Sequence, residues 1–241
     1  MQSSLYVSLS AQMALMRRLE AISNNVANSS TPGFRAEEVK FEQLISQTGL
    51  EPTSFASPGL TYLSRQSGEF IKTDSPFDVA LNGDAWLAIQ TPAGNVYTRD
   101  GRMRMMPTGE LQTLTGYSVL DVGGAPVLLD PNSGQPQIAR DGTITQGTRQ
   151  IGALGLFTIP DQAKLARFEN SGVIPDQPAA PALDFTRYGA IQGFIERSNV
   201  NPVMEISKLI MVQRAFDSIS GSVRETESTL SDAIKTLGET S

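Results

Sequence analysis

Over residues 4–27 the apolar positions recur with helical spacing. A seven-residue ruler places Leu5, Gln12, Leu19 and Val26 in one row; Leu9 and Met16 fall four residues after members of that row, and Leu15 and Ile22 three after. This period predicts one amphipathic helix, closed by the Ser29-Ser30-Thr31-Pro32-Gly33 breaker. At 1.5 Å per residue it is about 36 Å long. The far end of the chain repeats the signal, with Leu209, Phe216, Val223, Leu230 and Leu237 in unbroken seven-residue register. Val212 and Ile219 flank that row on one side, Ile206 and Ile234 on the other. The pattern predicts a second helix of the coiled-coil kind, started at Asn201-Pro202, ended at Gly238 and about 54 Å long. A stripe of that length cannot bury itself, so it needs another helix of the same chain or of a neighbour.

Between these ends the period turns strand-like. Turn signals arrive every eight to ten residues: Pro92-Ala93-Gly94-Asn95, Asp100-Gly101, Pro107-Thr108-Gly109, Gly116, Gly123-Gly124, Pro131-Asn132-Ser133-Gly134 and Asp141-Gly142. Strands are predicted at 86–91, 96–99, 102–106, 111–115, 117–121 and 151–159. No helix-length pattern interrupts them, which favours antiparallel hairpins over a parallel sheet. Residues 34–75 read as an extended connector, and residues 170–184, with three prolines, as a loop or edge. The predicted fold class is α+β, mainly β by domain. Long N- and C-terminal helices are expected to form a coiled-coil-like helical core, with an antiparallel β domain of hairpins inserted between them in the chain. The expected divisions are 1–33, 34–75, 76–197 and 198–241.

Composition narrows the chemistry. The 241 residues contain no Cys and no His, and the formal net charge is −6. Disulfides and cysteine nucleophiles are excluded, as are the commonest general base and the commonest transition-metal ligand. An acidic chain offers a nucleic acid no basic face, so no nucleic-acid partner is expected. No stretch reaches the roughly 18 apolar residues of a membrane span, and the N-terminus lacks the basic region of a Sec signal. No cofactor and no metal are expected, since no Asp-x-Asp-x-Asp-Gly calcium loop occurs. Catalysis would have to rest on paired carboxylates such as Asp78 with Asp84, or Asp100 with Glu110. In a chain with 25 acidic residues such pairs are cheap, and an ordinary role in turns is the simpler reading.

Two motifs at the chain ends carry a family resemblance. The run Ile22-Ser23-Asn24-Asn25-Val26-Ala27-Asn28-Ser29-Ser30-Thr31-Pro32-Gly33-Phe34 resembles the N-terminal signature of the bacterial flagellar rod and hook proteins. Its counterpart is similar to their C-terminal signature: Glu196-Arg197-Ser198-Asn199-Val200-Asn201-Pro202-Val203, followed by Gln213-Arg214-Ala215-Phe216. Between them Pro76-Phe77-Asp78-Val79-Ala80-Leu81, Gly83-Asp84-Ala85-Trp86, Tyr97-Thr98-Arg99-Asp100-Gly101 and Gly109-Glu110-Leu111 resemble the family's β-domain motifs. Ala85 departs from the glycine commoner there. The chain's size and its Ser30-Thr31-Pro32-Gly33-Phe34-Arg35 run with Trp86-Leu87-Ala88 are most similar to the proximal-rod branch. Distal-rod or hook-type members come next, and a carbohydrate-binding β domain with incidental helices is the rival of another class.

The resemblance implies a structural subunit of the basal-body rod, which crosses the periplasm and transmits torque. Its partners would be copies of itself and neighbouring rod proteins. The expected assembly interface comprises Leu5, Leu9, Met16, Leu19, Asn24, Asn25, Val26, Asn28, Ser198, Asn199, Asn201, Leu209, Gln213, Arg214, Phe216, Val223, Leu230 and Leu237. For the asparagines a helix-end role is the plain alternative, and the second signature favours the interface role. The heptad stripe could equally be the core of a hairpin within the chain, and the two signatures favour an assembly seam. Without a Sec signal, the resemblance implies passage through the flagellar type III export apparatus. Phe41 with Ile45 resembles the family's export motif, although a short apolar turn is the plain alternative.

Overall fold

The computed structural model describes residues 2–41, 43–46, 53–57 and 59–238. The chain is α+β, with a long helix towards each end and antiparallel strands between them. It divides into two compact units. A helical unit gathers Met1–Ala27, Glu37–Tyr62 and Asn201–Ser241, and a β unit gathers Asn28–Ala36 and Leu63–Val200.

In the helical unit, α1 (Gln2–Ala27) and α2 (Pro202–Gly238) form where the apolar period places them. Pro202 takes the first turn, and the Asn201 Oδ1 accepts the Met204 N–H at 3.2 Å, capping orphan donors of α2. α1 packs on α2 and on the strands Glu37–Lys40 and Thr53–Ala56. Gln12 Nε2 donates to Ser220 Oγ at 2.9 Å, and Asn25 Nδ2 to Glu205 Oε2 at 3.2 Å. A backward step along α1 therefore matches a forward step along α2, and the pair is antiparallel. Among the described residues of this unit, Ala14, Ala21 and Ile22 of α1 and Val212 of α2 are buried. Along α2 Val212 is buried, while Leu209, Phe216 and Val223 of the seven-residue row stay half-buried.

The largest sheet of the β unit has nine strands, with every neighbouring pair antiparallel. Its order is Leu165–Phe168, Gly172–Pro175, Gly94–Thr98, Ala85–Thr91, Ser118–Val119, Leu111–Thr113 and Met103–Met105. Leu156–Thr158 pairs with both Ala85–Thr91 and Ala180–Pro181. Side chains alternate along Ala85–Thr91: Ala85, Leu87 and Ile89 join the main core, whereas Trp86 and Ala88 belong to two smaller clusters. Both faces of that strand are covered, which is why its sequence reads as an unbroken apolar run.

Three sequence expectations change. The single strand expected at 151–159 is two, Arg149–Ala153 and Leu156–Thr158, because Leu154 N–H bonds to Gly142 O and Gly155 N–H to Leu120 O. The supposed loop at 170–184 contains Gly172–Pro175, held inside the sheet between two partners, and only Ala180–Pro181 lies at its edge. The stretch 34–75 is more than a connector. Residues 37–62 cluster with the helices, and Phe70–Lys72 pairs with Phe194–Glu196 in the β unit.

Candidate assembly interface

α1 presents two apolar faces. One makes the seam with α2. The other carries Tyr6, Leu9, Met13 and Met16 at the i, i+3, i+7, i+10 spacing of a single stripe, each between 49% and 60% exposed. α2 shows the same division, with Val203, Met204, Ile206, Ile210 and Met211 between 46% and 72% exposed. Leu9 and Met16 thus lie outside the intramolecular seam, as an assembly role requires, while Leu19 and Val26 are half-buried. Gln213 and Arg214 are exposed on α2. The side chains of Leu5, Ile45, Leu230 and Leu237 lie outside the described residues.

The three asparagines of the N-terminal signature separate into distinct roles. Asn25, 2% exposed, accepts Glu37 N–H on Oδ1 at 2.8 Å. Its Nδ2 donates to Glu37 O at 2.9 Å and to Glu205 Oε2 at 3.2 Å, so one amide ties α1 to a strand and to α2. The other oxygen of Glu205 takes Lys208 Nζ at 2.5 Å. Asn24 Nδ2 donates to Glu37 Oε2 at 3.1 Å. Asn28 closes the end of α1, its carbonyl accepting Thr31 N–H at 3.0 Å and its Oδ1 accepting Thr31 Oγ1 at 3.2 Å.

Gly33 to Arg35 of the first signature and Glu196 to Asn199 of the second meet inside the β unit. Gly33 adopts φ +69°, and a Cβ there would lie 2.3 Å from Asp100 N, so the turn excludes any larger residue. Next to it Phe34 is buried beneath the Arg167 guanidinium, 4.2 Å from its ring centre. Arg35 and Arg99 both close on Glu196, at 3.0 and 2.7 Å, and all three side chains are buried. Arg99 also donates to the carbonyls of Leu81, Gly83 and Ala85, which fixes the carboxylate to the sheet. Trp86 lies 5.9 Å from the Arg35 guanidinium and 5.8 Å from that of Arg99. Two guanidiniums share one carboxylate, and Arg35 Nε and Nη2 find no acceptor among the described residues. Burial, with the like charge of Arg99 adding to it, pushes the Arg35 guanidinium down to about 10 against the pull of Glu196 and Asp84.

Asn199 finishes this cluster. Its Oδ1 accepts Ala36 N–H at 2.7 Å, its Nδ2 donates to Gln66 O at 2.8 Å, and its backbone N–H reaches Phe34 O at 3.3 Å. Ser198, buried beside it, accepts Val200 N–H at 3.2 Å.

Three family descriptions match in chain order. "Flagella basal body rod protein" covers residues 5–35, "Flagellar hook protein FlgE/F/G D1 domain" residues 80–146, and "Flagellar basal body rod FlgEFG protein C-terminal" residues 191–236. Along its full length the chain is 52% identical to the flagellar basal-body rod protein FlgF of Mesorhizobium japonicum, covering 100% of both. The chain belongs to the flagellar basal-body rod protein family. It is a structural subunit of that rod. Similarity to the FlgF of Rhizobium meliloti is 46% over 99% of each chain, and to the FlgG of Buchnera aphidicola (Schizaphis graminum) 32% over 94% of this chain and 96% of the relative. Within this rod protein three of the four acids considered for catalysis are tied up locally. Asp84 holds Arg65 and Trp86 Nε1, Asp100 binds Arg102 through both oxygens, and Glu110 accepts from Ser118 and Gln112. Arg35, Arg99 and Glu196 all lie inside the family-like motifs, but nothing in their spacing shows that they meet. A charged residue closing an apolar strand, as Glu196 does after Phe194-Ile195, was the available signal.

Proposed function

We propose that this subunit occupies the proximal rod and assembles through its terminal helices into a coiled-coil-like, torque-transmitting shaft. The observation that carries the reading is the pair of apolar stripes left open on α1 and α2 after the helices have packed on each other. Contiguous apolar surface of this kind marks an interaction site. Contacts with unlike patches on neighbouring copies do not close, and so generate a helical tube. The higher identity to FlgF than to FlgG relatives supports the proximal position. Met13→Asp tests the reading, because Met13 lies outside the intramolecular seam. The expected outcome is a normally folded, exported subunit absent from isolated basal bodies; normal incorporation overturns it.

Export through the type III apparatus, with Phe41 and Ile45 as its motif, is part of the same proposal. In the folded chain Phe41 is half-buried, and its Cε1 lies 2.9 Å from where a Cβ on Gly59 would sit, so it also has a packing role. Phe41→Ala with Ile45→Ala is expected to cut secretion while leaving the β unit folded. For the carbohydrate-binding rival, one cleft among the described residues offers a place to act, of about 420 Å³ and lined by Thr98, Asp100, Thr115, Tyr117 and Glu169. Its Glu169 is bonded to Tyr117 at 2.6 Å and its Asp100 to Arg102, which weakens that reading.

A further inference from the structure

The chain joins and leaves the β unit at residues 28, 36, 63 and 200. The segments next to these points are fastened to one another. Gly33 N–H bonds to Glu196 O at 2.8 Å, and Asn199 N–H to Phe34 O at 3.3 Å. Ser64 N–H bonds to Ala36 O at 2.8 Å, and Gly68 N–H to Glu196 Oε1 at 2.8 Å. Asn199 bridges Ala36 and Gln66, while Arg35 bridges Glu196 and Gln66. The approach is close: a Cβ on Gly68 would lie 2.0 Å from Arg197 O. Two residues, Glu196 and Asn199, therefore hold three separate stretches of chain in one clasp, and Arg99 anchors it to the sheet.

A tension applied through the terminal helices reaches the β unit along residues 28–36 and 196–200. Those two stretches are bonded directly to each other, Gly33 to Glu196 and Phe34 to Asn199. Resting on the rod reading above, we propose that Glu196 and Asn199 are positioning residues for mechanical transmission: the clasp takes up pull arriving through the helices, and the sheets behind it are spared. The buried, doubly paired carboxylate suits this role because charge-assisted bonds in a dry site are the strongest available to side chains.

The clasp predicts a direction-dependent resistance, which a merely stabilising cluster does not produce. The natural chain has no Cys, so pulling handles can be placed by single cysteine pairs without background. The full-length protein is stretched in optical tweezers along two axes: Gln2→Cys with Lys235→Cys loads the clasp, and Ala93→Cys with Gln135→Cys, on exposed loops of the β unit, does not. Glu196→Gln is expected to speed opening of the β unit at fixed force about tenfold on the terminal axis, the factor carried by about 1.4 kcal/mol, and to leave the lateral axis unchanged. Asn199→Ala, at a partly exposed position that the fold tolerates more readily, should act in the same direction. Equal acceleration on both axes, or none on the terminal axis, overturns the proposal. The isolated chain is the object measured, so a failure here is separate from a failure of rod assembly, which Met13→Asp reads.

Discussion

Glu196 faces two buried guanidiniums, and the asymmetry decides how each partner tolerates loss. Glu196→Met strands two cations in a dry site and should cost about 3–5 kcal/mol. Arg35→Met leaves Glu196 paired with Arg99 and bonded to Gly68 N–H, so its cost is expected to be smaller by at least about 1 kcal/mol. Urea unfolding followed by the single Trp, which lies beside both guanidiniums, measures the difference; equal losses would show that both cations are needed for the packing. Asn25 presents the neutral counterpart. Asn25→Ala removes a donor and an acceptor from Glu37 and strips one partner from the buried Glu205 carboxylate. An expected cost of about 2–3 kcal/mol, read as a loss of helicity before the β unit melts, follows from leaving those groups unpaired.

At the scale of elements, the two faces of each helix respond differently to the same insult. Val212→Asp buries a charge against α1 and should destabilise the helix pair by about 3 kcal/mol or more, whereas Glu225→Ala, on an exposed position, should stay within about 0.5 kcal/mol. Circular dichroism on heating separates them. Both helices were legible because their apolar period is a local property, readable from residues three and four apart. The strand Ala85–Thr91 was legible for a similar reason, its flanking turns and apolar run being contiguous. Gly172–Pro175 was not, since its place in the sheet is set by Tyr97 and Thr98, more than seventy residues away, while its own prolines point to an edge. The clasp was least legible. Arg35 and Glu196 stand at opposite ends of the β unit's sequence, and each alone resembles an ordinary surface charge. The intrachain bonds of Asn24 and Asn25 were not legible either, because an amide that fixes register within one chain looks identical, in sequence, to one that fixes it between chains.

Across the whole molecule the two units differ in what holds them. The β unit has a large continuous core, including Val79, Leu81, Leu87, Val96, Leu111, Val119, Ile144 and Leu156. Among the described residues the helical unit buries few apolar side chains, Ala14, Ala21, Ile22 and Val212, and the amides of Gln12 and Asn25 link the helices, a thin seam for helices of 26 and 37 residues. Because the pairing lies within one chain, helical protection in the free subunit should not depend on protein concentration. Because the seam is thin, it should open locally at lower free energy than the sheets. Hydrogen exchange on the dilute protein is expected to show slow amides across Ala85–Thr91 and Gly94–Thr98, intermediate amides across residues 12–25 and 205–220, and fast ones towards the far end of α2. α2 is longer than α1 by 37 − 26 = 11 residues, about 16 Å of helix. Incorporation into rods should then slow exchange in both helices most strongly near Met13 and Ile210, where the apolar stripes are open in the single chain. Helical protection that rises with concentration before assembly would mean that the antiparallel pair forms between chains, and helical protection equal to that of the sheets would mean that the seam is stronger than its residues imply.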